Sequence, residues 1–409
     1  MPGPSRGVVG TGSFLVLAFV TGGIALGAVS GLTPGLHANN MALLLAGAAP
    51  SAPGPPLYVA MAMLAAGVVH TFLDIVPSLA LGVPDAAMAA AALPGHRLVL
   101  KGRGREALRL SALGSGGAAV LAAPLSVPVT RLMTAAWPLL RANLRVVLAA
   151  VAVLLVLTER TPTAAVGATV SLLASGLLGL AVLDLTPAAP LAAGGMLAPL
   201  FAGLFGAPVL VDAVGGGGVP PQDDPVLAVS RREVGGLTGV GTVAGAVVGY
   251  VPAVSSAVAA TAALLAVPGR YGARGFVVAT SGVNTSNTIF ALFALVALGT
   301  PRTGVLVAVD SVGAPPSLPH LLAAVAAAAA AGFGLVVTVG DRYLAVVGRL
   351  DATKLSLGIL VGLAGLSYLF AGGVGVVVYL AAAVVGLVPA RFRARRANLM
   401  GVLLLPLAL

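Results

Sequence analysis

Gly27-Ala28-Val29-Ser30-Gly31-Leu32-Thr33-Pro34-Gly35 and Gly245-Ala246-Val247-Val248-Gly249-Tyr250-Val251-Pro252-Ala253 are one backbone-breaking pattern written twice. Gly27, Gly31 and Pro34 find Gly245, Gly249 and Pro252 at a constant offset of 218 residues. Proline removes a helix amide and clashes with the preceding turn, so each stretch reads as an interruption of a helix. Both lie in long apolar sequence. Interrupted apolar segments at matching places in two halves point to a secondary transporter, with its site where helices break near the membrane midplane.

The surrounding chain supports that setting. Of 409 residues, 59% are hydrophobic and 8% charged, with a mean hydropathy of +1.08. A soluble domain carries about 25% charged residues. The composition therefore predicts an all-α, polytopic integral membrane protein. A span needs about 20 apolar residues, which allows about ten to twelve transmembrane or re-entrant helices. Arg6 precedes an apolar run from Phe14 that leads directly into the first break, so this run reads as a retained helix and not a signal peptide.

Net charge is +10, but the basic residues lie between apolar segments, where the positive-inside rule places them. No aromatic-interleaved basic surface is present, and nucleic acid is not an expected partner. The absence of cysteine excludes disulfides, thiol catalysis and zinc-thiolate sites. No Ser-His-Asp order, His-Glu-x-x-His run or phosphate loop occurs, so no enzyme is expected. No cofactor is expected other than a coupling Na⁺ or H⁺.

The repeat divides the chain into a first membrane unit (1–212), a linker (213–233) and a second membrane unit (234–409). The linker holds Gly215–Gly218, Pro220, Pro221, Asp223 and Asp224, and reads as flexible by composition. Residues 36–49 are too few to span and read as a re-entrant or half helix. Residues 57–82, 110–127, 143–157, 163–183 and 189–211 are further apolar segments of the first unit. The second unit continues with 276–298, 319–340, 342–350, 353–370 and 372–388. The loop at 97–109 is rich in Lys and Arg, whereas its counterpart at 301–320 has only Arg302 against Asp310. Basic loops stay in the cytoplasm, so these equivalent loops are expected on opposite sides and the repeats inverted, with 96–109 cytoplasmic in a multi-pass cell-membrane protein. Arg391, Arg393, Arg395 and Arg396 read as a second topology anchor.

A helix restarting after Thr33-Pro34-Gly35 points free amides into the gap, a ready anion site. His37, Asn39 and Asn40 occupy its first turn and can donate to a carboxylate; Gly31 belongs to the same break. A kinked packing helix with Asn caps is the alternative. Ser255 and Ser256 follow Pro252 as His37 and Ala38 follow Pro34, and offer hydroxyls to a substrate or to their own helix. His70, Thr71 and Asp74 share one helical face. An aspartate mid-membrane costs ~2.5–3.5 kcal/mol and marks an ion path, which makes Asp74 the candidate for ion coupling with His70 as its partner; the alternative, since 57–82 is long, is a cap or helix contact near the interface. Asn284, Thr285, Ser286, Asn287 and Thr288 form a polar run in apolar sequence, and at offset 217 Asn287 and Thr288 match His70 and Thr71. Substrate binding or interhelical hydrogen bonding explains such a run.

Certain residues also carry a resemblance. His70-Thr71-Phe72-Leu73-Asp74-Ile75-Val76-Pro77-Ser78, Leu81-Gly82-Val83-Pro84-Asp85, Leu93-Pro94-Gly95-His96-Arg97 and Lys101-Gly102-Arg103-Gly104 resemble the large permease subunit of tripartite tricarboxylate transporters, the TctA family, in its archaeal-type branch. Gly31-Leu32-Thr33-Pro34-Gly35 resembles that family's first Pro-Gly break. Asn284-Thr285-Ser286-Asn287-Thr288, followed by Leu298-Gly299-Thr300-Pro301, is similar to its second motif. The chain departs from the family at Pro252-Ala253, where Pro-Gly is usual, and in its shorter C-terminal part. The resemblance implies a permease for small carboxylates, working with a small membrane subunit and a soluble binding protein. The alternatives are a translocase for polyprenyl phosphate or another lipid anion, and a non-transporting membrane scaffold. The sequence leaves the oligomer unspecified.

Overall fold

The computed structural model describes residues 11–409 except 35, 37, 49–51, 53, 83–91, 192–194, 216–218, 252–255, 264–265 and 316. Every regular element described is helical. The first half comprises α1 (Thr11–Leu32), α2 (Ala38–Ala48), α3 (Pro56–Leu73), α4 (Ile75–Leu81), α5 (Ala92–Leu100), α6 (Gly104–Ala142), α7 (Leu144–Leu157), α8 (Pro162–Val182), α9 (Leu197–Phe201) and α10 (Ala207–Ala213). The second comprises α11 (Arg231–Tyr250), α12 (Ser256–Ala263), α13 (Gly272–Leu298), α14 (Gly304–Ser311), α15 (Leu318–Val347), α16 (Ala352–Gly386), α17 (Val388–Arg391) and α18 (Gly401–Ala408). Seven of the described helical segments are long and apolar enough to cross a membrane. The chain is thus an all-α, multi-pass membrane protein, as its composition predicts.

Both interruptions are real breaks. α1 stops at Leu32 and α2 starts at Ala38; α11 stops at Tyr250 and α12 starts at Ser256. Each broken element leans on one long helix through matched glycines. Gly23, Gly27 and Gly31 of α1 face Ala62, Ala66 and Leu73 of α3; Gly241, Gly245 and Gly249 of α11 face Ala279, Val283 and Phe290 of α13. The offset is 218 residues on the glycine side and 217 on the other. A Cβ on Gly31 would lie 2.9 Å from the Leu73 Cβ, and one on Gly249 2.6 Å from the Phe290 Cβ. Lipid is as apolar as leucine, so close backbone approach, and not hydrophobicity, holds such pairs together.

Burial locates the centre. The Pro56–Leu81 and Gly269–Leu298 spans are 94% and 83% buried, whereas the other five range from 28% to 44% and face outward. The two central helices run antiparallel: Gly95 of α5 packs between Leu79 and Val277, and Asp74 pairs with Asn284. Their supports are exchanged between the halves. α6 lies along α13 in parallel, from Glu106–Arg274 to Ser111–Ser281. α15 lies along α3 and α4, from Gly332–Phe72 to Gly340–Val76. Matched αL glycines end the central helices, Gly82 (φ 67°) and Gly299 (φ 63°).

The structure revises several boundaries. Residues 110–127 belong to one 39-residue helix, α6, which begins inside the basic stretch; it is about 58 Å long, well beyond a bilayer core of ~30 Å. Residues 319–340 and 342–350 merge into α15. The segment read as helical from 189 becomes helical only at Leu197. The reason is a third interruption, at Ala371-Gly372 within α16, where Gly372 has φ 59° and ψ −155°. The Leu191 and Gly195 amides donate to the carbonyls of Leu369 (3.1 Å) and Phe370 (3.2 Å) stranded there.

Beyond residue 218 the described part of the linker has no regular element up to α11. It is a strap bound to α5 and α6. The Asp223 amide donates to the Gly102 carbonyl at 2.8 Å, the Gly104 amide to Gln222 Oε1 at 2.7 Å, and the Ala228 amide to Glu106 Oε1 at 3.0 Å. The basic stretch meets acids as well. Arg274 grips Glu106 through Nε (2.7 Å) and Nη2 (3.0 Å), Arg103 joins it at 3.0 Å, and Arg109 pairs with Asp341.

Candidate functional site

Pro77 explains where the polar centre lies. Its missing amide and its ring disturb the bond to Leu73, and the helix is interrupted at Asp74, between α3 and α4. The Asp74 carbonyl accepts from Ser78 Oγ at 2.7 Å. Asp74 is 3% exposed, and its Oδ2 accepts from Asn284 Nδ2 on α13 at 2.6 Å. A membrane interior, with no water to compete, makes such a contact strong. Asn284 Nδ2 also reaches the Thr71 carbonyl at 3.4 Å, and Thr71 Oγ1 lies 3.4 Å from Thr285 Oγ1. One helix from each half therefore supplies the centre.

Each central helix also touches the broken element beside it. His70 Nδ1 is 2.9 Å from Ser30 Oγ, on the last turn of α1, and that hydroxyl lies 3.1 Å from the Gly27 carbonyl. In the other half, Asn287 Nδ2 donates to Ser256 Oγ, the first residue of α12, at 3.1 Å. Asn287 Oδ1 is buried with no hydrogen-bonding partner among the described residues. Such an oxygen is an acceptor left unfilled. His70 and Asn287 are the residues that the 217-residue offset pairs.

The other candidates fall as follows. Thr288 is buried on α13. Ser286 donates to its own Gly282 carbonyl at 2.7 Å and packs against Gly245, a packing role. Thr33 Oγ1 donates to the Val29 carbonyl at 2.7 Å, Pro34 follows in the turn, and Gly31 is packed against α3. Gly35, His37, Pro252 and Ser255, and the turn residues Pro84 and Asp85, lie outside the described residues; Asn39 and Asn40 are described only as backbone of α2. Among the described residues, no three His, Cys, Asp or Glu side chains converge. The donors at the centre are the carboxylate, amide and hydroxyl oxygens of Asp74, Asn284, Thr71 and Thr285, a set that suits a hard cation or a proton.

Sequence reasoning missed three features. Ser30 stands in the first break, and only the fold turns it toward His70. Ser111 and Ser115 on α6 meet Ser281 on α13, at 2.8 Å and 3.2 Å, with no periodic signal to announce them. Arg302 follows the Gly299 turn and stacks 4.2 Å over the Trp137 ring. Its Nε and Nη2 are buried without a partner among the described residues, and burial lowers its proton affinity. The Leu-Gly-Thr-Pro turn was the available signal.

The fold and site together define a multi-pass helical membrane protein with a buried polar centre shared by two broken-helix units. Residues 17–401 match the model of the tripartite tricarboxylate transporter TctA family. The chain is 25% identical over 399 residues to an uncharacterized protein of Methanocaldococcus jannaschii, covering 96% of this chain and 98% of the relative. No solved structure matches. The chain belongs to the tripartite tricarboxylate transporter TctA family.

Proposed function

We propose that this chain is the permease of a secondary transporter, and that it moves a small carboxylate by alternating access in symport with Na⁺ or H⁺. The observation that carries the reading is the hydrogen bond between Asp74 and Asn284, which joins the two halves inside the bilayer beside two helix breaks. The antiparallel central helices and exchanged supports favour two inverted repeats rocking about that contact. Residues near the breaks would take the substrate: Ser256, Asn287 and Thr288 from the second half, and Thr71 and the α2 turn from the first. Asp74 would take the coupling ion, with His70 beside it. The family name implies two further components, a small membrane subunit and a soluble binding protein. The basic end would face the cytoplasm.

The test is uptake of labelled citrate and succinate into proteoliposomes under imposed Na⁺ or pH gradients, with and without accessory subunits. Gradient-driven uptake that disappears in Asp74→Asn, with the variant still folded in the membrane, is the expected result. Wild-type uptake by Asp74→Asn would refute the coupling role. Translocation of polyprenyl phosphate, without uptake of any soluble carboxylate, would replace the substrate class.

A further inference from the structure

A cavity of ≈ 330 Å³ opens at the basic end of the molecule, away from the polar centre. Its walls come from both halves: the end of α4 with Gly82, His96 on α5, Asp212 on α10, Ser356 on α16, and Arg396. Arg396 is its deepest charge. The side chain is only 11% exposed, and Nη2 donates to Asp212 Oδ2 at 2.8 Å. Asp212 is 51% exposed and, among the described residues, is the only hydrogen-bonding partner of that guanidinium side chain.

This pairing is unequal. A half-exposed carboxylate loses little when it swings into water, since such pairs contribute ~0–1 kcal/mol. A buried guanidinium stripped of its partner loses far more. Asp212 can therefore leave only if another anion takes its place, and a carboxylate that offers two oxygens to the guanidinium fork does so in the preferred geometry. His96 stands in the same wall, its Nδ1 donating to the Leu79 carbonyl at 2.7 Å. The ring sits against Gly82, where a Cβ would come within 3.2 Å of it. The cavity also connects to the centre through one element: α4 runs from Asp74 to Gly82, about 12 Å at 1.5 Å per residue.

We infer that this cavity is an antechamber for the transported anion, in which a di- or tricarboxylate displaces Asp212 from Arg396 before passing along α4 to the centre. The inference rests on the proposed carboxylate transport and adds a second, peripheral binding site to it. The chain has no cysteine, so Ser356→Cys creates a unique thiol in the cavity wall. Ala352→Cys serves in the same wall if Ser356→Cys fails to accumulate. The experiment measures labelling of that thiol by an impermeant maleimide, added from the basic face of membrane vesicles, against increasing citrate.

Citrate is expected to slow labelling. Arg396→Gln should raise the half-protecting concentration about tenfold, the loss of one charge-assisted pair. Asp212→Asn should lower it roughly threefold by removing the competing carboxylate. Protection should persist in Asp74→Asn, the variant expected to lose coupled uptake. Labelling indifferent to citrate in a chain that still transports it would overturn the antechamber alone. Equal protection by sulfate would overturn the carboxylate assignment. Absence of both protection and uptake would remove the transport reading and this inference with it.

Discussion

Two glycines five residues apart on α1 give opposite predictions for the same substitution. Gly22 is exposed, and a Cβ there meets nothing within 4 Å; Gly27 is buried, and a Cβ there collides with the Ala66 carbonyl of α3. Alanine is a better helix former than glycine by about 1 kcal/mol, which is the whole effect expected at Gly22. At Gly27 that gain is set against overpacking, which costs about 1–3 kcal/mol when the obstacle cannot move. The obstacle is backbone, so α1 and α3 must separate. Gly245 is the instructive third case. Its nearest obstacle is the Ser286 hydroxyl, with the Val283 carbonyl next at 2.9 Å. Gly245→Ala should therefore be destabilising alone and partly rescued by Ser286→Ala, whereas nothing on α3 can rescue Gly27→Ala. Thermal stability by fluorescence-detected size exclusion in detergent ranks the four proteins. A Gly27→Ala protein as stable as Gly22→Ala would refute the close-approach account of α1 and α3.

Asn284→Ala removes the 2.6 Å donor from buried Asp74, a charged hydrogen bond of about 1.5–3 kcal/mol, and should abolish uptake non-additively with Asp74→Asn in proteoliposomes. Arg274→Met takes the bidentate partner from the fully buried Glu106 side chain, which keeps Arg103 and the Ala228 amide, and should cost about 1.5–3 kcal/mol; Glu106→Gln in the same chain should recover part of the lost melting temperature. Gly372→Ala forces a side chain onto φ 59° and toward the Ala188 carbonyl, and should lower thermal stability more than Gly373→Ala, where a Cβ meets nothing.

The sequence exposed the breaks because proline and glycine act locally, and Pro34 and Pro252 announce themselves in any context. It exposed Asp74 because an acid within residues 57–82 is costly wherever it points. The partner of Asp74 was less readable. The constant offset matches Asn287 with His70, and equivalence is easily taken for proximity. In antiparallel helices equivalents lie on either side of the crossing, and the contacts fall between unlike residues: Asp74 with Asn284, Thr71 with Thr285. The strap at 219–229 was hidden for a related reason. Its prolines signal irregular backbone correctly, but the groups that bind it, from Val99 to Glu106, lie more than a hundred residues earlier. The late start of α9 had its cause in Gly372, further still along the chain.

The exchange of supports between the halves has a consequence for biosynthesis. Chains emerge N-terminus first, so α3 enters the bilayer while α13 and α15 are still untranslated. Asp74 waits 210 residues for Asn284, and Phe72 waits longer for the groove at Gly332. The first unit thus resides in the membrane with its costliest side chain uncovered by the other unit, and only post-insertion docking of the second completes it. A ribosome stalled inside the linker leaves an unfinished fold, not half a transporter.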